Sequence, residues 1–513
     1  MLFLIVHYLN AQREMPTIRA TSRKVDVKDG SIFQKGVWNL SPELNPDVYF
    51  ALPHANEKSI TFYTDIDSIS FRVAPGKSYD FIILLNDTDT CFTRIESKQP
   101  ELINTGELDP KLLQEDFSVL IKSLQNEHGG LFRYKNQVRL RALSDSLFQL
   151  LNKPMEPFEF STLIGYMVAA IQDGHTGSKL PQELMNHYAK TVEMFPLQLW
   201  FIDDKAYTVC TNAEIPIETE ILSIDGKSIN EIKKRLFEYL PSDGTIESKK
   251  YWILNHVAFP FLFNWVYGEK SDYLVEYQTT DGQIRNMSLK ADCLAKTKCF
   301  KPDLRNDKNL QLQFTSNDIA VLTISSFNSK ELMRTNENYA QFLATSFQEI
   351  DERKVKKVIL DLRNNAGGDD VYGALLYSYL TSESFHFHSA EQLEQPSQGS
   401  FKGELYFLMN GLSFSTTSNM LAIAKSNEIG IFIGEETGGG YYGCTSGETF
   451  RIVLPNSHIR IAIPKDASYN PVKPFEERGS GVTPDYRVIP SVSELLTGKD
   501  VQLNFALEMV GGK

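Results

Sequence analysis

The stretch Leu405–Gly443, LYFLMNGLSFSTTSNMLAIAKSNEIGIFIGEETGGGYYG, limits what this chain can fold into more than any other. Leu405–Met409 is a short apolar run that reads as a buried strand, and Asn410-Gly411 ends it. Ser413, Ser415, Thr416 and Thr417 then crowd the start of a helix predicted from Thr416 to about Ser426, with Met420, Ile423 and Ala424 on its apolar face. Ile429–Ile433 is a second buried strand, stopped at Gly434 and followed by Gly438-Gly439-Gly440. A hydroxyl at a strand–turn–helix junction stands clear of the sheet. The N–H groups of the first helical turn point at any oxyanion formed beside it. Two readings of Ser415 stand at this point: a nucleophile, or a helix cap.

A second stretch, Val355–Asp370, reads VKKVILDLRNNAGGDD. Val358–Leu362 is a buried strand, and Arg363–Gly368 is a turn entering a helix near Asp370. Paired glycines allow backbone N–H groups to approach a ligand closely. Around it, Ile319–Ser325 reads as a strand, Glu331–Glu352 as one long helix and Val371–Leu380 as another. Such repeated units build an α/β core. The DLRNNAGG string, the GLSFSTTS loop, the IGEETGGG strand end and the GVTPD string at Gly481–Asp485 follow one another in this order. Together they resemble the tail-specific (C-terminal-processing) serine peptidases, most closely over about Asp318–Pro490. The resemblance implies a crotonase-like α/β core over about 310–490 and acyl transfer at a peptide bond. It makes Ser415 the nucleophile, with Ser413, Thr416, Thr417 and Ser418 as fallbacks. The oxyanion donors would be the backbone N–H of Thr416 and of Gly367 or Gly368.

The base separates two branches of that family. Tail-specific enzymes use a Ser–Lys pair, and their lysine would fall in Gly438-Gly439-Gly440-Tyr441, where none stands. Lys425 lies two to three turns into the helix after Ser415 and should point away from it. The chain is more similar to the tricorn-core-like Ser–His branch. There the base would be His175, in Gln172-Asp173-Gly174-His175-Thr176 after a helical segment. On its residues alone, a histidine at a helix end is also explained by the helix dipole. His128, in EHGGLFRY, is a second candidate. The acid that orients the base would be Glu477, with Glu476 beside it, a few residues before GVTPD; a solvated loop is the other reading of both. A different class also remains: a catalytically silent relative that binds a peptide or hydrophobic ligand.

The rest of the 513 residues must hold several units. A β-sandwich-like module is expected over 19–98, where turn signals separate β-branched and aromatic alternation. The period changes from 2 to 3.6 near Asp109, so a helical region follows over 108–180. Over 190–300 the pattern resembles a PDZ-like segment, with an Asp225-Gly226 turn and an aromatic insertion from Trp252 to Tyr267. The net charge of −13 argues against nucleic acid and against an anionic membrane surface. No apolar run reaches the roughly 20 residues that span a bilayer. Residues 1–12, MLFLIVHYLNAQ, read as the end of an export signal or as an N-terminal strand. That makes a periplasmic, cell-surface or secreted protein the expectation. The five cysteines form no CxxC pair, and Cys293 and Cys299 are near enough for a local disulfide. No metal and no cofactor is expected, and the substrate would be a peptide or protein.

Overall fold

In the computed structural model of the protein the described residues are 106–210, 215–279, 281–293, 308–316, 318–388, 393–474 and 477–511, with the backbone of five strands before residue 97. The chain divides into two compact units, His7–Asn104 and Met1–Val6 with Thr105–Lys513. In the first, Val48–Ala51, Ser78–Leu85 and Asp89–Glu96 make an antiparallel three-stranded sheet, and Thr17–Ile18 pairs with Ile69–Ser70. The remainder of the sandwich expected over 19–98, and the export segment over 1–12, lie outside the described residues.

The second unit is built around a six-stranded sheet: β1 (Leu310–Ser316), β2 (Ile319–Ile324), β3 (Lys357–Asp361), β4 (Glu404–Met409), β5 (Ile431–Gly434) and β6 (Tyr486–Arg487), in that spatial order. β1 pairs antiparallel with β2 and every later pair is parallel. Parallel strands are covered on both faces, which is why β3 and β4 are nearly continuous apolar runs. Alternate residues take opposite faces. Leu322, Leu360 and Phe407 meet the helices Tyr339–Glu352, Asp370–Ser378 and Thr416–Ser426. Val321, Ile359, Tyr406 and Leu408 meet Ala506 and Val510 of the helix Val501–Gly511. Each fully buried side chain of this size contributes about 1.5–3 kcal/mol.

The single helix expected over 331–352 is two helices, Ser329–Arg334 and Tyr339–Glu352. The break has a local cause. Asn336 takes φ 55°, a conformation asparagine tolerates, and Asn338 restarts the helix by accepting a hydrogen bond from Gln341 N.

Ahead of the core come three helices, Pro110–Glu127, Gln137–Leu150 and Pro157–Ala170, the first and third opened by proline. They pack against the hairpin Thr445–Val453 and Arg460–Ala467. The short strand Gly177–Lys179 is the third member of that hairpin's sheet, with Ser178 opposite Ile461. This pairing carries the segment just after the helices into the core. Residues 199–290 form an antiparallel sheet with strands in the order 284–290, 272–278, 220–224, 205–208, 199–202. Asp225 and Gly226, both at positive φ, make its tight turn. The aromatic insertion is packed rather than displayed: Phe259 and Phe263 are buried against Phe195. Cys293 is a free buried thiol, so the expected bond to Cys299 does not form, while Cys210 is disulfide-bonded.

Candidate active site

β4 delivers Ser415. After the strand, Asn410 Oδ1 accepts from Asn364 N, Ser413 Oγ donates to Leu362 O and Phe414 N donates to Asn365 O. These bonds lace the loop to the DLRNNAGG turn. They hold Ser415 at φ 57°, ψ −128°, a conformation that costs a non-glycine residue of order 1–3 kcal/mol. The helix begins at Thr416, yet the Ser415 side chain makes no capping hydrogen bond. Its Oγ lies 3.0 Å from His175 Nε2 instead. Between the two readings of Ser415, the geometry is that of a hydroxyl turned to an imidazole.

His175 is held from three sides. Asp173 Oδ1 accepts from the N–H of His175 and of Thr176, both at 2.8 Å, which fixes the tight turn after the helix. Phe414 stacks on the imidazole with ring centroids 4.4 Å apart. The third element is a surprise from the loop 241–245. Asp243, fully buried, accepts from Gly174 N at 2.7 Å and from Gly440 N at 3.2 Å. One oxygen each of Asp173 and Asp243 and one nitrogen of His175 lie within 4.8 Å of one another. His175 Nδ1 and Asp173 Oδ2 are buried without a hydrogen-bond partner.

The electrostatics favour a neutral imidazole. Burial holds His175 down to about 4, with Asp243 and Asp370 raising it and Lys249 lowering it. Burial and the neighbouring Asp243 push Asp173 up to about 7. Burial lowers Lys249 to about 8 against the pull of Asp243 and Asp173. The Lys249 ammonium brings a positive charge beside Asp173, His175 and Asp243.

On the other side of Ser415 stand the paired glycines. Gly367 takes φ 91°, and a Cβ there would meet Ser415 Cβ at 2.7 Å. Gly368 takes φ 150°, and a Cβ there would meet the Phe327 carbonyl carbon at 2.1 Å. Both positions therefore need glycine. The Gly367 N–H is already given to Asn365 Oδ1 at 2.9 Å. No hydrogen bond to a protein atom engages the N–H of Gly368 or of Thr416 in the described residues, which leaves these two for a ligand.

Of the expected residues, the structure brings together Ser415, His175, Gly367, Gly368 and Thr416. It does not bring Glu477. That residue is exposed, its carbonyl accepts from Ser480, and no hydrogen bond joins it to His175. Asp243 occupies the place beside the imidazole, and Glu476 lies outside the described residues. His128 has its own structural work: Nδ1 accepts from Gly130 N and Nε2 faces Thr176 Oγ1 at 2.8 Å. Lys425 is turned away from Ser415 into an ion pair with Asp485. Asp243 and Lys249 were missed because nothing local marks them. Asp243 sits in a Pro-Ser-Asp-Gly turn, and Lys249-Lys250 reads as solvated surface.

Residues 318–488 match the profile of peptidase family S41. That region, the strand that delivers Ser415 included, is a family S41 peptidase region. The match makes it a serine-type peptidase, a hydrolase, and a family S41 protein has a peptide or protein as its substrate. The matched region contains Ser415, both glycines and Thr416 but neither His175 nor Asp243. No curated protein matches the chain. Among solved structures, mature CPAF complexed with lactacystin is similar at TM-score 0.53 and 14% identity, over 78% of this chain and 98% of that chain. A CPAF mutant is similar at TM-score 0.54, with the same identity and coverage. At such identities the likeness concerns the fold. The photosystem II D1 C-terminal processing protease aligns at TM-score 0.36 and 15% identity, over 77% of this chain and 98% of that chain.

Proposed function

We propose that this family S41 protein is an exported endopeptidase working by Ser415–His175 acyl transfer. The observation that carries the reading is the 3.0 Å contact between Ser415 Oγ and His175 Nε2, at a serine with strained backbone and no capping role. His175 takes the hydroxyl proton on Nε2 as Oγ attacks the scissile carbonyl carbon. For that, Nδ1 carries the ring hydrogen, and the acceptors near it are the carboxylates of Asp173 and Asp243; such contacts tighten when substrate binds. The oxyanion takes hydrogen bonds from the N–H of Gly368 and Thr416, each worth roughly 10²–10³ in rate. The imidazolium then gives its proton to the leaving amine, and water repeats the sequence to release the acid. The 190–300 segment reads as PDZ-like in this account. Export is supported by the disulfide at Cys210, since such bonds persist in oxidising compartments. In the described residues no helix is long and apolar enough to cross a membrane.

The pH profile tests the base. His175 must be neutral to accept a proton, and its neutral form persists above its pKa. Because burial lowers that value to about 4, the acidic limb of kcat/KM should fall well below the 6.5 of an ordinary histidine. An acidic limb at 6.5 or above, with circular dichroism unchanged, would contradict a buried His175 base.

A further inference from the structure

We propose that Lys249 is a positioning residue of this site: its ammonium grips the Gly174–His175 peptide and offsets the paired carboxylates of Asp173 and Asp243. The proposal rests on the Ser–His reading above and extends it to a residue that the reaction does not touch.

Lys249 stands on the short helix Ser248–Ile253, and that helix is bolted to the catalytic loops. Ser248 Oγ donates to Thr437 O at 3.2 Å, and Trp252 Nε1 donates to Asn364 Oδ1 at 3.0 Å. Lys249 itself is 8% exposed, rare for a lysine. Its Nζ donates to Gly174 O at 2.8 Å, the carbonyl joined to the His175 N–H. The same Nζ lies 3.3 Å from the centroid of Phe414, the ring that stacks on His175. A Cβ on Gly174 would meet Lys249 Nζ at 2.8 Å and Phe414 Cε2 at 2.8 Å. Glycine at 174 is what lets ammonium, ring and turn close together. One lysine therefore touches both the backbone that presents the base and the ring that orients it.

The groups facing His175 are Asp243, Lys249 and Asp370, with Asp173 on its own turn and Ser415 opposite. Those facing Lys249 are Asp243, Asp173 and Cys444, while His128 and Tyr134 back the two aspartates. Two carboxylates within 4.8 Å of an imidazole would hold it as imidazolium, and a protonated Nε2 cannot take the serine proton. A fixed ammonium offsets one of those charges. The other remains to stabilise the imidazolium that forms during attack. A buried lysine without such partners would be strongly destabilising.

Two substitutions separate charge from shape. Lys249→Met removes both the donor and the charge. It should lower kcat/KM at pH 7 by about 10²-fold, the scale of a displaced catalytic group, and shift the acidic limb to higher pH. Lys249→Arg keeps the charge, so the low acidic limb should stay. The wild type should also lose activity as the ammonium deprotonates near pH 8, and the arginine variant should not, because a guanidinium does not titrate there. A Lys249→Met protein with the wild-type profile and only a lower Tm would overturn the proposal. So would identical basic limbs in the wild type and Lys249→Arg, a comparison that decides alone if Lys249→Met fails to fold. Ser415→Ala, run in parallel, separates this from the underlying reading. Retained turnover there overturns the Ser–His mechanism itself. Lost turnover with unmoved Lys249 profiles overturns the role of Lys249 alone.

Discussion

Ser415→Ala is expected to lower kcat on a peptide ester by roughly 10⁴–10⁶-fold, and His175→Ala to lower it by a similar factor. The serine is a weak nucleophile until a base takes its proton, and His175 Nε2, at 3.0 Å, is the base within reach. The two substitutions should therefore not add: the double variant should be no slower than either single one by more than a few-fold. Both proteins should fold. Ser415 stands at a strand–helix junction and His175 on a turn, and neither sits inside the sheet. Alanine keeps the Cβ, so the backbone strain at φ 57° is unchanged and Tm should hold. Steady-state turnover with a chromogenic peptide ester, alongside thermal melts, checks all three statements.

Asp243→Asn should cost about 10³–10⁴ in kcat, the order seen when a serine hydrolase loses the acid behind its histidine. The change is nearly isosteric: an asparagine oxygen can still accept from Gly174 N, while the longer bond from Gly440 N and the negative charge beside His175 are lost. Glu477→Gln should leave turnover within about twofold, because that side chain is exposed and joined to nothing in the site. Measuring the pair together is decisive. If Glu477→Gln were the damaging change and Asp243→Asn the silent one, the acid would have to come from the GVTPD loop after all.

What the sequence made readable was what chain order encodes locally. The strand–turn–helix around Ser415 is written in an apolar run, a breaker and a helix face, and the helix starts at Thr416 as expected. The paired glycines at 367 and 368 announce a backbone with positive φ. His175 needed the family's chain order, since its turn alone fits a helix terminus equally well. Asp243 could not be read. It reaches His175 only because the sheet-forming segment after residue 190 folds back and returns its loop to Gly174 and Gly440. Glu477 precedes GVTPD, but nearness in sequence to one motif says nothing of the distance to a histidine three hundred residues away. The same limit hid Lys249, whose neighbours Gly174 and Phe414 come from two other parts of the chain. The helix over 331–352 was misread for a milder reason: its apolar spacing continues across Asn336 and Asn338, and only the turn preference of asparagine breaks it.

The Ser415–His175 mechanism needs one activated hydroxyl, and a fluorophosphonate reports that directly. Intact protein treated at neutral pH should take up one phosphonyl group, and peptide mass mapping should find it on Ser415. Labelling of His175→Ala should slow by orders of magnitude under the same conditions. A label on Ser413, Thr416, Thr417 or Ser418, or equal labelling rates in the wild type and His175→Ala, would contradict the Ser415–His175 mechanism.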